Sequence, residues 1–170
     1  MIRKGPVSDA ELCYADIVLT DTNVARTELN NRMRRLALDF RAQSKPLNVG
    51  DRIICRTNTS ITSSEGYGLT NGAQGVIRKI KHTNSSYSLI DLVMTTPDLG
   101  EYSFIGTTRP ELFPAQLRPP KIEYGYALTV HLSQGSEWPN VIYQQSSFVK
   151  KSAMYTAITR AKESVLIALD

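Results

Sequence analysis

Cysteine, tryptophan and histidine are scarce in this chain, at two, one and two residues among 170. Cys13 and Cys55 fit neither a metal-ligand spacing nor a disulfide framework; this points away from a zinc or disulfide scaffold and toward a reducing, cytoplasmic setting with two ordinary buried thiols. No run approaches the ~18 apolar residues of a membrane-spanning helix, and no charged-then-apolar leader precedes a small-residue cleavage site. Charge of one sign is concentrated nowhere. The net +4 is spread as 8 basic and 6 acidic groups in residues 1–45, 7 and 6 in 46–120, and 5 and 4 in 121–170. With no basic tail, charge alone identifies no nucleic-acid partner. Two chemical absences matter more. There is no G-x-x-x-x-G-K-[ST] loop to cradle nucleotide phosphates, and no acidic pair after an apolar strand to hold Mg2+.

What is present is enough for one core, or one core and a small satellite, at 41% hydrophobic residues. Ile17-Val18-Leu19-Thr20 is a short apolar run followed by capping side chains in Asp21-Thr22-Asn23. Leu29, Met33, Leu36, Ala37 and Phe40 then share one face of a helix of about five turns, with Arg26, Arg32, Arg34 and Arg35 mostly off that stripe. Lys45-Pro46 stops the helix. The next stretch reads as short strands with turn signals: Arg52 to Arg56, Gly75 to Ile80 after Asn71-Gly72, Tyr87 to Met94, and Tyr102 to Ile105. Thr57 through Ser64 reads as a mobile loop, and Pro119-Pro120 closes the segment. From Tyr124 the α/β pattern resumes, with strands at Tyr126–Val130, Val141–Gln145 and Ser164–Leu169 and a helix at Ala153–Ala161. The simplest organisation is one α/β domain interrupted by a small antiparallel barrel.

The chemistry-bearing side chains cluster in three places. After Val130, a loop offers the hydroxyls of Thr129 and Ser133, the imidazole of His131, the amide of Gln134, and Gly135, whose backbone can approach a ligand. These groups suit phosphate and sugar without reading base sequence; a plain polar turn satisfies the same pattern. Near the chain's end, Arg160 is either a surface arginine paired with Glu163 or a planar cationic fork set against a phosphate. Arg26 lies in the first turn of its helix, where a cation opposes the helix dipole. Trp138 and Tyr155 read as packing residues, and His82 has no partner at a useful spacing.

Tyr155-Thr156-Ala157-Ile158-Thr159-Arg160-Ala161-Lys162 and Thr129-Val130-His131-Leu132-Ser133-Gln134-Gly135-Ser136-Glu137-Trp138 together resemble the last two conserved motifs of superfamily 1 helicases. The branch they resemble is the RecD-like/Dda one, that of the exonuclease V alpha subunit. Thr22-Asn23-Val24-Ala25-Arg26 with Leu29-Asn30 resembles the motif that opens the same half. The resemblance implies an α/β, RecA-like (P-loop NTPase-type) second helicase half with an inserted small antiparallel β barrel. Residues 1–45 and 121–170 would be its two segments and 46–120 the barrel, with residues 1–14 an interdomain connector.

It further implies a repair or recombination DNA helicase that uses ATP with Mg2+, moves 5′ to 3′, and is inactive as an ATPase without its N-terminal RecA-like ATPase domain, upstream or on a separate chain. Repair and recombination proteins would be further partners. Arg160 would be an arginine finger and Arg26 a second arginine facing the nucleotide, with Glu137 on the ribose and Gly135 beside it. Thr129, His131, Ser133, Gln134, Thr22 and Asn23 would contact single-stranded DNA. Leu132 stands where the family usually has lysine, removing one phosphate contact or salt bridge. A rival reading is a non-catalytic nucleic-acid-binding adaptor derived from such a half; an RNA helicase of the same superfamily is a third.

Overall fold

Ile17-Val18-Leu19-Thr20 is buried at every position, the signature of a strand covered on both faces. It forms β2 (Ile17–Thr20), an inner strand of a five-stranded parallel sheet. The computed structural model describes residues 1–38, 47–58, 70–82, 88–96, 100–107, 122–145 and 151–169. They fall in two compact units, Met1–Asp39 with Tyr126–Asp170, and Phe40–Gly125.

The first unit contains β1 (Ile2–Lys4), α1 (Asp9–Tyr14), β2, α2 (Asn23–Ala37), β8 (Ala127–Thr129), β9 (Trp138–Gln144), α3 (Lys151–Ile158) and β10 (Ala161–Leu169). The strand order is β1-β10-β9-β2-β8, and every pairing is parallel. From β2 the chain moves outward to β8, whereas from β9 it moves the opposite way to β10. Right-handed crossovers in opposite directions put their helices on opposite faces of a sheet, so α1 and α2 share one face and α3 covers the other. The Arg32–Asp9 ion pair joins α1 and α2 directly.

Residues 1–14 are therefore not a connector. β1 pairs with β10 from Ile2↔Ile167 to Lys4↔Leu169. α1 begins with a full capping box, in which Ser8 accepts from the Glu11 amide and the Glu11 carboxylate accepts from the Ser8 amide. Val7 and Leu12 are buried. A three-residue strand and a six-residue helix are too short to show a period, which is why composition gave no sign of them.

α2 has 15 residues, about four turns, with Thr22 as N-cap. Its buried face is Leu29, Asn30, Met33 and Arg34, whereas Leu36 is 37% exposed. The expected stripe is thus rotated toward two polar residues. Asn30 explains the rotation. Its Nδ2 donates to Ala127 O at 2.8 Å and to Arg26 O at 2.9 Å, and its Oδ1 accepts from the amides of Tyr126 and Ala127 at 2.9 and 3.0 Å. Among the described residues β8 is the edge strand, so Asn30 supplies the partners that a further strand would give its outward backbone groups.

The second unit holds β3 (Arg52–Cys55), β4 (Gln74–His82), β5 (Ser88–Thr96), β6 (Gly100–Thr107) and β7 (Ile122–Tyr124). All pair antiparallel in the order β6-β5-β4-β3-β7. Among the described residues no pairing joins β6 to β7, so the expected barrel appears as an open sheet. The α/β pattern also resumes later than the residues suggest, because Tyr124 is in β7, paired with Ile53. A Cβ on Gly125 would lie 2.8 Å from the Ile53 carbonyl carbon, so only glycine lets the chain pass β3 this closely. The bordering Pro46 and Pro119-Pro120, Phe40, and residues 59–64 of the Ser/Thr-rich stretch lie outside the described residues. Of the two cysteines, Cys55 is buried and Cys13 is exposed on α1.

Candidate functional site

In a parallel sheet all strands start at one edge, so each connection must return there. Residues 130–137 make that return from β8 to β9 without a helix, as a series of turns. The loop therefore begins at the carboxyl edge of the sheet and ends at the amino edge. Only its first part lies beyond the carboxyl ends of the strands, where open α/β sheets bind ligands.

At the carboxyl edge the polar groups divide by burial. His131 and Gln134 are exposed, as are Thr22 and Asn23 at the start of α2. Ser133 is fully buried and its hydroxyl donates to Val130 O at 2.8 Å. Thr129 is 8% exposed, and its Oγ1 accepts from the Leu132 amide at 3.3 Å. Both hydroxyls are spent on folding the turn, and the Thr22 hydroxyl caps α2 through the Ala25 amide at 3.2 Å. Gly135 has φ +86°, and nothing lies within 4 Å of a Cβ placed there. It is required by backbone conformation and not by a close approach.

At the amino edge the loop meets the end of α3. The helix stops at Ile158, so Arg160 lies in the turn before β10 and not on the helix. Trp138 is the first residue of β9; its amide donates to Arg160 O at 2.9 Å, and it pairs with Ala161. The half-buried Arg160 guanidinium donates through Nε to Thr156 O at 3.3 Å, through Nη1 to Ser136 O at 3.3 Å, and through Nη2 to Thr159 Oγ1 at 3.1 Å. Every acceptor is neutral, and among the described residues no carboxylate, Glu163 included, pairs with it. A guanidinium has about five N–H donors, so roughly two remain. A full positive charge with spare donors is what an anion requires. Glu137 is exposed beside this turn, its Oε2 3.7 Å from Lys162 Nζ, a solvent-screened pair of little energetic weight.

Arg26 lies apart from this cluster. It is half-buried in the first turn of α2, which packs on β8 and β2, and in the sheet β9 and β2 lie between β8 and β10. Tyr155, expected to pack, is 71% exposed on α3. At the carboxyl ends of β2 and β9 the buried Tyr143 hydroxyl donates to Asp21 Oδ1 at 2.7 Å. Burial first, and the Asp21 carboxylate second, push that phenol well above its ordinary range. Among the described residues no three His, Cys, Asp or Glu side chains are grouped to hold a metal ion.

Thr159 and Asn30 were each part of a quoted motif, yet neither received a role. The signal for Asn30 is an amide in the middle of an apolar helical stripe. For Thr159 it is a hydroxyl directly before the arginine.

Residues 124–168 match the UvrD-like helicase C-terminal domain. An uncharacterised protein of Methanocaldococcus jannaschii is 43% identical over 54 residues, covering 29% of this chain and 5% of that protein. The fold is shared with Pif1 helicase from Candida albicans, at TM-score 0.61 and 15% identity, over 89% of this chain and 44% of that one. Pif1 from Bacteroides, solved with ADP-AlF3 and single-stranded DNA, gives TM-score 0.56 and 17% identity over 89% of this chain and 39% of that one. The chain thus spans less than half of these helicases. Sequence and fold together support similarity to the C-terminal region of a superfamily 1 helicase.

Proposed function

We propose that this chain is the second half of a two-part, ATP-dependent DNA helicase of RecD-like type, which completes a nucleotide site whose phosphate loop and Mg2+ ligands lie on another half. The observation that carries this reading is the Arg160 guanidinium, held by three neutral acceptors with donors to spare. Arg160 stabilises charge developing on the transferred phosphoryl group, a contribution of about 10³–10⁵ in rate for an arginine finger. Glu137 and Gly135 lie beside the sugar of the same nucleotide, whereas Arg26, in the first turn of α2 beyond the carboxyl end of β2, stands outside this phosphate site. On the opposite edge His131, Gln134 and Asn23 meet the backbone of single-stranded DNA, while Thr129, Ser133 and Thr22 hold the turns that present them. The loop 130–137 joins the two edges, so strand binding and phosphoryl transfer are mechanically connected. Two relatives of this fold were solved on single-stranded DNA, which agrees with the assignment.

The test is ATP turnover, with saturating single-stranded DNA, by the chain together with its nucleotide-binding half. Arg160→Ala lowers kcat by about 10³ or more, with single-strand affinity unchanged in the absence of nucleotide. His131→Ala with Gln134→Ala weakens strand binding across all base sequences. The chain alone releases no phosphate from ATP. Turnover within about twofold of wild type for Arg160→Ala would remove the phosphate role and leave the adaptor reading.

A further inference from the structure

Arg160 is the second residue after the end of α3, and its side chain has four rotatable bonds. What fixes it matters as much as its charge, because a displacement of about 1 Å in a catalytic group costs on the order of 10² in rate. Two of its three acceptors are main-chain carbonyls, of Thr156 and Ser136. The third is a side chain. Thr159 Oγ1 accepts from Arg160 Nη2 at 3.1 Å and donates its own proton to Thr156 O at 2.8 Å. The Thr156 carbonyl receives Arg160 Nε as well, so hydroxyl, carbonyl and guanidinium close a ring at the helix end.

Because the Thr159 proton is committed to Thr156, the hydroxyl presents a lone pair to the arginine and cannot rotate away without losing a bond. A carboxylate in its place would neutralise the charge that a phosphate needs, and an apolar side chain would leave Nη2 unguided. Thr159 is itself exposed and adds nothing to the core.

We propose that Thr159 is a positioning residue: its hydroxyl sets the direction of the Arg160 guanidinium before any anion arrives and does not itself touch the anion. The inference rests on the phosphate role given to Arg160 above. It predicts that removal of the hydroxyl lowers kcat and leaves KM for ATP alone, because an arginine that still reaches the phosphate by chance binds the ground state but is misplaced in the transition state.

The experiment has two arms. In the chain as it stands, the Arg160 Nε–Hε resonance is assigned by its loss in Arg160→Lys and followed in ¹⁵N spectra. Thr159→Val shifts and broadens it toward a freely rotating arginine, whereas Thr159→Ser leaves it in place. With the nucleotide-binding half added, Thr159→Val lowers kcat about tenfold, the worth of one hydrogen bond to a charged group, with KM within about twofold and Thr159→Ser restoring kcat. The site is exposed, and Thr159→Ala, which removes the same hydroxyl, repeats the measurement if the valine variant is unstable. An unchanged resonance and unchanged kcat in the valine and alanine variants, with Arg160→Ala inactive, overturns this inference alone. Full turnover by Arg160→Ala overturns it together with the reading on which it rests.

Discussion

Asn30→Ala should destabilise the isolated chain by about 3–6 kcal/mol, estimated from three backbone groups stranded at roughly 1–3 kcal/mol each and only partly rehydrated. The three are the amides of Tyr126 and Ala127 and the Ala127 carbonyl, all bonded to the Asn30 side chain at 3.0 Å or less. They lie at the start and on the outer side of β8, where no neighbouring strand among the described residues replaces the lost bonds. Asn30 is itself buried, so truncation also leaves space between α2 and β8 that nearby side chains close incompletely. The predicted loss is a large fraction of the roughly 5–15 kcal/mol that holds a domain folded. Urea unfolding followed by circular dichroism measures it, as a lower midpoint at similar slope. Asn30→Asp tests the two halves of the amide separately. It keeps the acceptor for both amides but loses the donor to Ala127 O and adds a buried charge, and it should also be destabilising at neutral pH. A loss below about 1 kcal/mol for Asn30→Ala would show that water or a shifted helix satisfies those groups, and the tie between α2 and β8 would not be structural.

Two further outcomes follow from the titrating groups. The folded chain resists ionisation of Tyr143, so that contribution is complete below about pH 10 and fades as the pH rises further, because the unfolded chain ionises first; urea midpoints between neutral and alkaline pH should fall less steeply in Tyr143→Phe. Cys13 is exposed, whereas burial pushes the Cys55 thiol up and its Sγ donates to Thr57 O at 3.1 Å. A disulfide exchange reagent should therefore titrate one thiol in the native chain and the second only on unfolding, and two fast thiols would place Cys55 wrongly.

The elements legible from the residues were those that carry a local signal. Ile17–Thr20 announces a fully buried strand because four consecutive apolar or β-branched residues suit nothing else so close to a capping sequence. The existence of α3 and of the strand after it, though not the helix's end at Ile158, and the split of the α/β pattern by antiparallel strands, were visible for the same reason. The meeting of the 130–137 loop with Arg160 was suggested only by resemblance. Spacing along the chain cannot state that Trp138 and Ala161 are neighbours, and that fact depends on β9 and β10 being adjacent and parallel.

Tertiary structure decided the rest, because burial and pairing belong to the fold and not to any window of sequence. It drew residues 1–14 into the sheet through a strand of three residues, too short for any period. It turned Thr129 and Ser133 inward, since a hydroxyl in a tight turn is satisfied sooner by a carbonyl or amide within three residues than by a ligand. It placed Arg160 against two carbonyls and a hydroxyl, and in no pair with a carboxylate among the described residues, which distinguishes it from a surface salt bridge. Residue type alone established that an arginine was available. Only two chain segments brought together in space, Ser136 and the α3 end at Thr156–Thr159, could leave it with no carboxylate partner among the described residues and its direction fixed.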